Sequence, residues 1–121
     1  MKKSVSATAK KTNKTSKYCF VKLIVRVPEG YEEAYICGNT ANLGAWNAAK
    51  AVKLKKSDDA FVIRKRFPVG AKIEYKALSC RNWGRVEKGA FGEELQNNCF
   101  TAEKGIIVQR NVATFNNEYF D

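Results

Sequence analysis

The chain has 121 residues, with 22 Lys and Arg against 12 Asp and Glu, no His, and a formal net charge of +10. That length suits one domain and leaves little room for a second core. Without His there is no Ser-His or Cys-His catalytic pair, no His general base and no His-liganded zinc, and no run approaches the ~18 apolar residues of a membrane span. In chain order, residues 1–17 come first, with six Lys and no acid. Like charge with few apolar groups predicts a disordered basic tail, read as a solvated leader in preference to a nucleic-acid arm. No apolar stretch follows its Lys residues, so it does not read as a secretory signal. Asn13-Lys14-Thr15 is then an accidental sequon. Residues 18–121 hold 16 basic and 12 acidic side chains, only +4, and form the predicted domain.

Residues 18–27 alternate, placing Cys19, Val21, Leu23, Val25 and Val27 on one face of a strand. Pro28-Glu29-Gly30 ends it. A short strand at 34–37 closes at Gly38-Asn39, and 52–55 with 61–67 predict a hairpin through Ser57-Asp58-Asp59. After Pro68-Val69-Gly70, residues 72–79 set Ile73, Tyr75, Ala77 and Ser79 on one face and Glu74, Lys76 and Leu78 on the other. Short strands at 85–87, 99–102 and 106–113 complete the set, with no convincing helix. Seven to eight short strands at this spacing predict an all-β fold, an antiparallel β-sandwich or small barrel.

The four Cys, at 19, 37, 80 and 99, include no Cys-x-x-Cys pair. With no His beside them, metal binding is not expected. Cys19, Cys37 and Cys80 fall in apolar runs, where a free thiol behaves as a small hydrophobe. Reduced, structural cysteines fit a cytoplasmic location.

Two connections are longer than the rest, 39–50 and 88–98, and loops on a rigid sheet are where binding residues sit. Trp46 lies in the first, among Gly and Asn. Trp83 stands in Arg-Asn-Trp-Gly, again between polar turn residues. Each alone could plug an end of the sandwich; together they read as an aromatic platform. Sugar rings stack an apolar C–H face on indole and need hydrogen-bonding groups at the rim. Unpaired bases also stack, but their backbone needs a basic groove. Lys76, Asn97 and Asn98 could serve either ligand. The +4 of the domain, with Glu87, Glu93 and Glu94 around the second loop, favours sugar over nucleic acid. Catalysis is disfavoured: Glu93-Glu94 and Asp58-Asp59 read as solvated turns, not a glycosidase pair. No catalytic residue or cofactor is expected.

With these residues in place, residues 18–115 resemble the starch-binding domains of carbohydrate-binding module family 20 and the related glycogen-binding modules of family 48. The pieces come in order. Tyr35-Ile36-Cys37-Gly38 before Asn42-Leu43-Gly44-Ala45-Trp46-Asn47 is similar to the family's Gly…Leu-Gly-x-Trp block. Ala51-Val52-Lys53-Leu54 follows, then Pro68-Val69-Gly70 with Ile73-Glu74-Tyr75-Lys76, then Val86-Glu87-Lys88-Gly89 and Leu95-Gln96-Asn97-Asn98. The resemblance implies a two-sheet, immunoglobulin-like sandwich that binds α-1,4 glucans without catalysis. It implies Trp46 as one stacking plate, Lys76 as a hydroxyl donor and Asn97 beside them. Trp83 and Leu95 match the second plate and the apolar residue of the glycogen-binding type, and Glu87 matches the family acid. Val86 stands where family 20 has Trp, and Asn98 replaces the usual Arg, which puts the anchoring of the loop in question. A second family site would use aromatics near Tyr31 and after residue 54. The short turn at 56–59 has none, so that site is not expected. Two other readings remain: nucleic acid or another acidic partner bound through the Lys-rich tail, and a scaffold with a degenerate sugar site whose sandwich edges recruit an associated enzyme.

Overall fold

A computed structural model describes residues 17–116, so the tail predicted at 1–17 lies, but for Lys17, outside the described residues, as does Asn13. The strands are β1 (Tyr18–Arg26), β2 (Tyr35–Gly38), β3 (Val52–Lys53), β4 (Lys55–Ser57), β5 (Ala60–Pro68), β6 (Lys72–Leu78), β7 (Glu87–Lys88), β8 (Asn98–Thr101), β9 (Ile107–Asn111) and β10 (Thr114–Phe115). Two four-stranded sheets, ordered β9-β1-β5-β4 and β3-β2-β6-β8, enclose the core, and β10 pairs with β7 as a ribbon at one end. The fold is the all-β sandwich expected.

The described residues form ten strands where seven to eight were expected: the predicted run 52–55 switches partner midway, and β10 follows just beyond the end of the run 106–113. The chain leaves the second sheet at β3 and joins the first at β4, turning at buried Leu54, whose N–H donates to the Ala34 carbonyl at 2.9 Å. It changes partner again at buried Val112, whose N–H donates to Arg26 at 2.8 Å. In both places an apolar side chain pins the crossing into the core. One pair is parallel: β9 lies along β1 with Ile107 opposite Lys22, since the chain reaches β9 from the far sheet instead of through a hairpin. Of the run at 85–87, Arg85 ends a 3-10 turn, Trp83–Arg85, Val86 bridges Leu78 and Glu87 opens β7.

The inward face of β1 is buried as its alternation requires, and Phe61, Phe67, Ile73, Tyr75 and Ala77 meet it from β5 and β6. Leu78 departs from expectation. It points away from this core yet is fully buried, in a second small cluster with Tyr35, Cys37, Ala48 and Ala51. The loop 39–51 folds down over the outer face of β2 and β6 and covers it. Burial there pushes the Cys37 thiol up from its ordinary value.

That loop needs Gly38. A Cβ there would stand 2.4 Å from the Glu74 carbonyl oxygen and 2.8 Å from Leu43 Cδ1. Gly38→Ala is therefore expected to force β2 from β6 and cost about 1–3 kcal/mol, read as a lower urea midpoint.

Candidate functional site

The loop after β2 is tied down at both ends. Asn39 continues the pairing with β6: its side-chain oxygen accepts from the Glu74 N–H at 3.0 Å and its amide donates to Lys72 at 3.2 Å. Asn42 donates to the Arg66 carbonyl of the other sheet at 2.7 Å, and Leu43 plugs the core. Two 3-10 turns, Ala41–Leu43 and Ala48–Lys50, flank the crest, and Asn47 caps the second by accepting from the Ala49 N–H. On the crest Ala45 and Trp46 hold φ of 50° and 63°. Left-handed backbone costs an L-residue roughly 1–2 kcal/mol. It persists here because the Ala45 and Trp46 N–H groups donate to Thr40 and Gly38 at 2.9 and 2.8 Å. Such strain collects at functional sites, and this strain serves to present one indole.

Trp83 comes from the turn after β6, where Asn82 caps by accepting from the Gly84 N–H at 2.8 Å. Arg81 joins the two Trp-bearing segments: its Nε donates to the Ala51 carbonyl at 2.9 Å, and its guanidinium lies over the Tyr35 ring. The two indoles stand 6.2 Å apart at 39° to one another, and Trp83 is 38% exposed. They form one side of an open cleft of about 670 Å³, lined also by Lys76, Val86, Lys88, Glu94 and Asn97.

The structure thus brings Trp46, Trp83, Lys76 and Asn97 together. The Lys76 ammonium donates to the Leu95 carbonyl, and the Asn97 amide donates to Glu74 at 3.0 Å. Leu95 is half-buried and does not itself line the cleft; its carbonyl holds the Lys76 ammonium. Glu87 is not brought to the cleft surface. It is 1% exposed, a carboxylate beneath the platform that accepts from the Ala77 N–H at 2.7 Å, Asn98 at 2.8 Å and Arg110 at 2.5 and 2.9 Å. A buried carboxylate requires such partners, and these consume its oxygens. Its charge, with burial as the larger cause, pushes the neighbouring Tyr75 hydroxyl up to about 12.

Loop anchoring, in question because Asn98 replaces Arg, is supplied from the other sheet. Arg110 on β9 forks onto Glu87, and Asn98 shares the same carboxylate. No local pattern announces this pair, since Arg110 is 23 residues from Glu87 and on another strand. The Lys88–Glu94 ion pair at the cleft was equally unforeseen. Its Lys88 hydrogen bond and charge hold the Glu94 carboxyl below the usual carboxylate range.

Residues 19–110 match the family model described as "Starch binding domain". The chain belongs to that family. The sequence resemblance and the sandwich agree with it, and this starch-binding domain is a carbohydrate-binding module by membership. Its fold is shared with three solved structures. The family 15 glucoamylase of Hypocrea jecorina is 16% identical with a TM-score of 0.66, over 91% of this chain and 20% of that one. The glucoamylase of Hormoconis resinae is 18% identical with a TM-score of 0.65, over 84% and 18%. The family 20 module of a maltotetraose-forming amylase from Pseudomonas saccharophila is 22% identical with a TM-score of 0.54, over 76% and 98%. This domain thus spans about a fifth of the two glucoamylases and nearly all of the isolated module. No curated protein matches it in sequence.

Proposed function

We propose that this starch-binding domain holds an α-1,4 glucan, as polysaccharide or maltooligosaccharide, across Trp46 and Trp83, and acts as a binder without catalysis of its own. The observation that carries the reading is the 39° tilt of two indoles 6.2 Å apart. Two converging plates suit successive rings of a curved chain, whereas a flat β-linked chain asks for coplanar ones. Lys76 and Asn97 line the same cleft and can offer donor and acceptor groups to ring hydroxyls. Leu95 backs Lys76, and Glu87 supports the platform from below. Both plates are in place, which argues against a degenerate site on a scaffold.

An open two-plate site is expected to bind weakly, with Kd between about 10 μM and 1 mM, or ~6.8 to ~4.1 kcal/mol. Retardation in a native gel containing amylose tests the reading, and mobility equal to that in a plain gel would refute it.

The cleft should also be insensitive to neutral pH. Glu94 stays ionised because Lys88 holds its carboxyl down, Tyr75 stays neutral with its hydroxyl near 12, and the chain has no His. A lowered carboxyl lends its support above the ordinary carboxylate range and withdraws it as pH falls through the folded value. Affinity for β-cyclodextrin is expected to be flat from about pH 6 to 8 and to weaken only in acid. A titration step near neutrality would contradict this.

A further inference from the structure

The sandwich has a second exposed face with a different chemistry. The four strands of the sheet β9-β1-β5-β4 carry eight Lys and Arg, of which Lys22, Arg26, Lys55, Arg64 and Arg66 stand at outward positions, while Lys56, Lys65 and Arg110 lie in register with the inward residues Phe61, Val21 and Val25. The same strands carry no Asp or Glu. The modest net charge of the domain conceals this, because among the described residues its acids lie in turns and loops, on the other sheet and on β7. Two of the eight are engaged with acids, Arg110 with Glu87 and Lys56 with Glu32. Among the described residues no ion pair involves Lys22, Arg26, Arg64 or Arg66.

The outward positions of β1 are Tyr18, Phe20, Lys22, Ile24 and Arg26, alternating with its buried ones. Tyr18 is 45% and Phe20 52% exposed. Opposite them on β5, Arg66 faces Phe20 and Arg64 faces Lys22 in register. Each guanidinium leans one step along the sheet: Arg66 lies 4.3 Å from the Tyr18 ring centroid and Arg64 4.9 Å from that of Phe20. The face therefore carries two such units, an aromatic ring with a guanidinium on it, two residues apart. Strand geometry sets that spacing at about 6.8 Å. This is roughly twice the ~3.4 Å per nucleotide of a strand in a duplex. The pitch and the rings suit an extended single strand with its bases unstacked. A glucan bearing only scattered phosphates would not need a cation at each step. In the sequence, the Lys-rich residues 1–17 immediately precede Tyr18.

We propose that this face, on the opposite side of the sandwich from the glucan cleft, binds single-stranded nucleic acid, with Tyr18 and Phe20 stacking on bases and Arg64, Arg66, Lys22 and Arg26 meeting phosphates. Rings of this kind accept any base, so the preference is for single strands and not for sequence. The cleft on the other sheet stays available, so the two ligands bind without competing.

Anisotropy of fluorescein-labelled U20 RNA with the full chain tests this. Four phosphate contacts predict a log–log salt slope of about −2.8, or roughly 50-fold weaker binding at 200 mM than at 50 mM salt. Arg64→Glu/Arg66→Glu is expected to lose at least about tenfold. Tyr18→Ala/Phe20→Ala, which removes rings and no charge, is expected to lose at least about 30-fold with the slope unchanged. Both variants should bind β-cyclodextrin as the parent does, which separates loss of the face from loss of the fold. Three results would overturn the proposal. One is parental U20 binding by both face variants together with its loss when Lys2, Lys3, Lys10, Lys11 and Lys14 are changed to Gln, which would assign it to the leader. Another is a duplex bound as tightly as U20. The last is no U20 binding at 50 mM salt while phosphatidylserine vesicles capture the chain.

Discussion

Trp46→Ala is expected to remove measurable glucan binding while leaving the domain folded. An indole that covers about 100 Å² of sugar contributes roughly 2.5 kcal/mol at ~25 cal/mol per Å². Out of a total near 5 kcal/mol, that loss shifts a Kd of about 100 μM to several millimolar, beyond a calorimetric titration. Trp46 lies at the crest of its loop and outside both buried clusters, so the urea midpoint should barely move. Trp46→Phe should keep part of the affinity, because a smaller ring still stacks. A Trp46→Ala chain that binds maltoheptaose as the parent does would remove the cleft from the account.

The second large effect is expected at Arg110. Arg110→Met leaves the Glu87 carboxylate 1% exposed and without the one cation that pairs with it among the described residues, and breaking a buried pair costs about 3–5 kcal/mol. For a domain of this size that is a substantial part of the total stability. Arg110→Lys should recover only part, since an ammonium cannot make both of the bonds that Nε and the terminal nitrogen make to Glu87. Glu87→Gln combined with Arg110→Met should be less damaged than Arg110→Met alone, because no unpaired charge then remains. Equal destabilisation of the double and single variants would mean that the ion pair is not what holds β7 beneath the platform.

Much of this was legible in the sequence because it is local. The alternation of Cys19, Val21, Leu23 and Val25 marks the core face of β1, and Pro68-Val69-Gly70 marks the turn into β6. The pairing of Trp46 with Trp83, and of Lys76 with Asn97, followed from loop placement and from resemblance. What was not legible depends on elements meeting in space. Leu78 reads as an outward residue until the loop 39–51 covers it. Leu54 and Val112 read as mid-strand residues until the chain changes partner at them. Glu87 reads as a ligand contact until Arg110, from the other sheet, turns it inward. The basic face was hidden for a related reason: the net charge of a domain averages over two sides that never see the same ligand.

Calorimetric titration of the full chain with maltoheptaose, with tryptophan fluorescence followed in parallel, tests the central claim most directly. The account predicts saturable heat with Kd between about 10 μM and 1 mM, a matching fluorescence change and little dependence on salt. Absence of both heat and fluorescence change at millimolar sugar would contradict it.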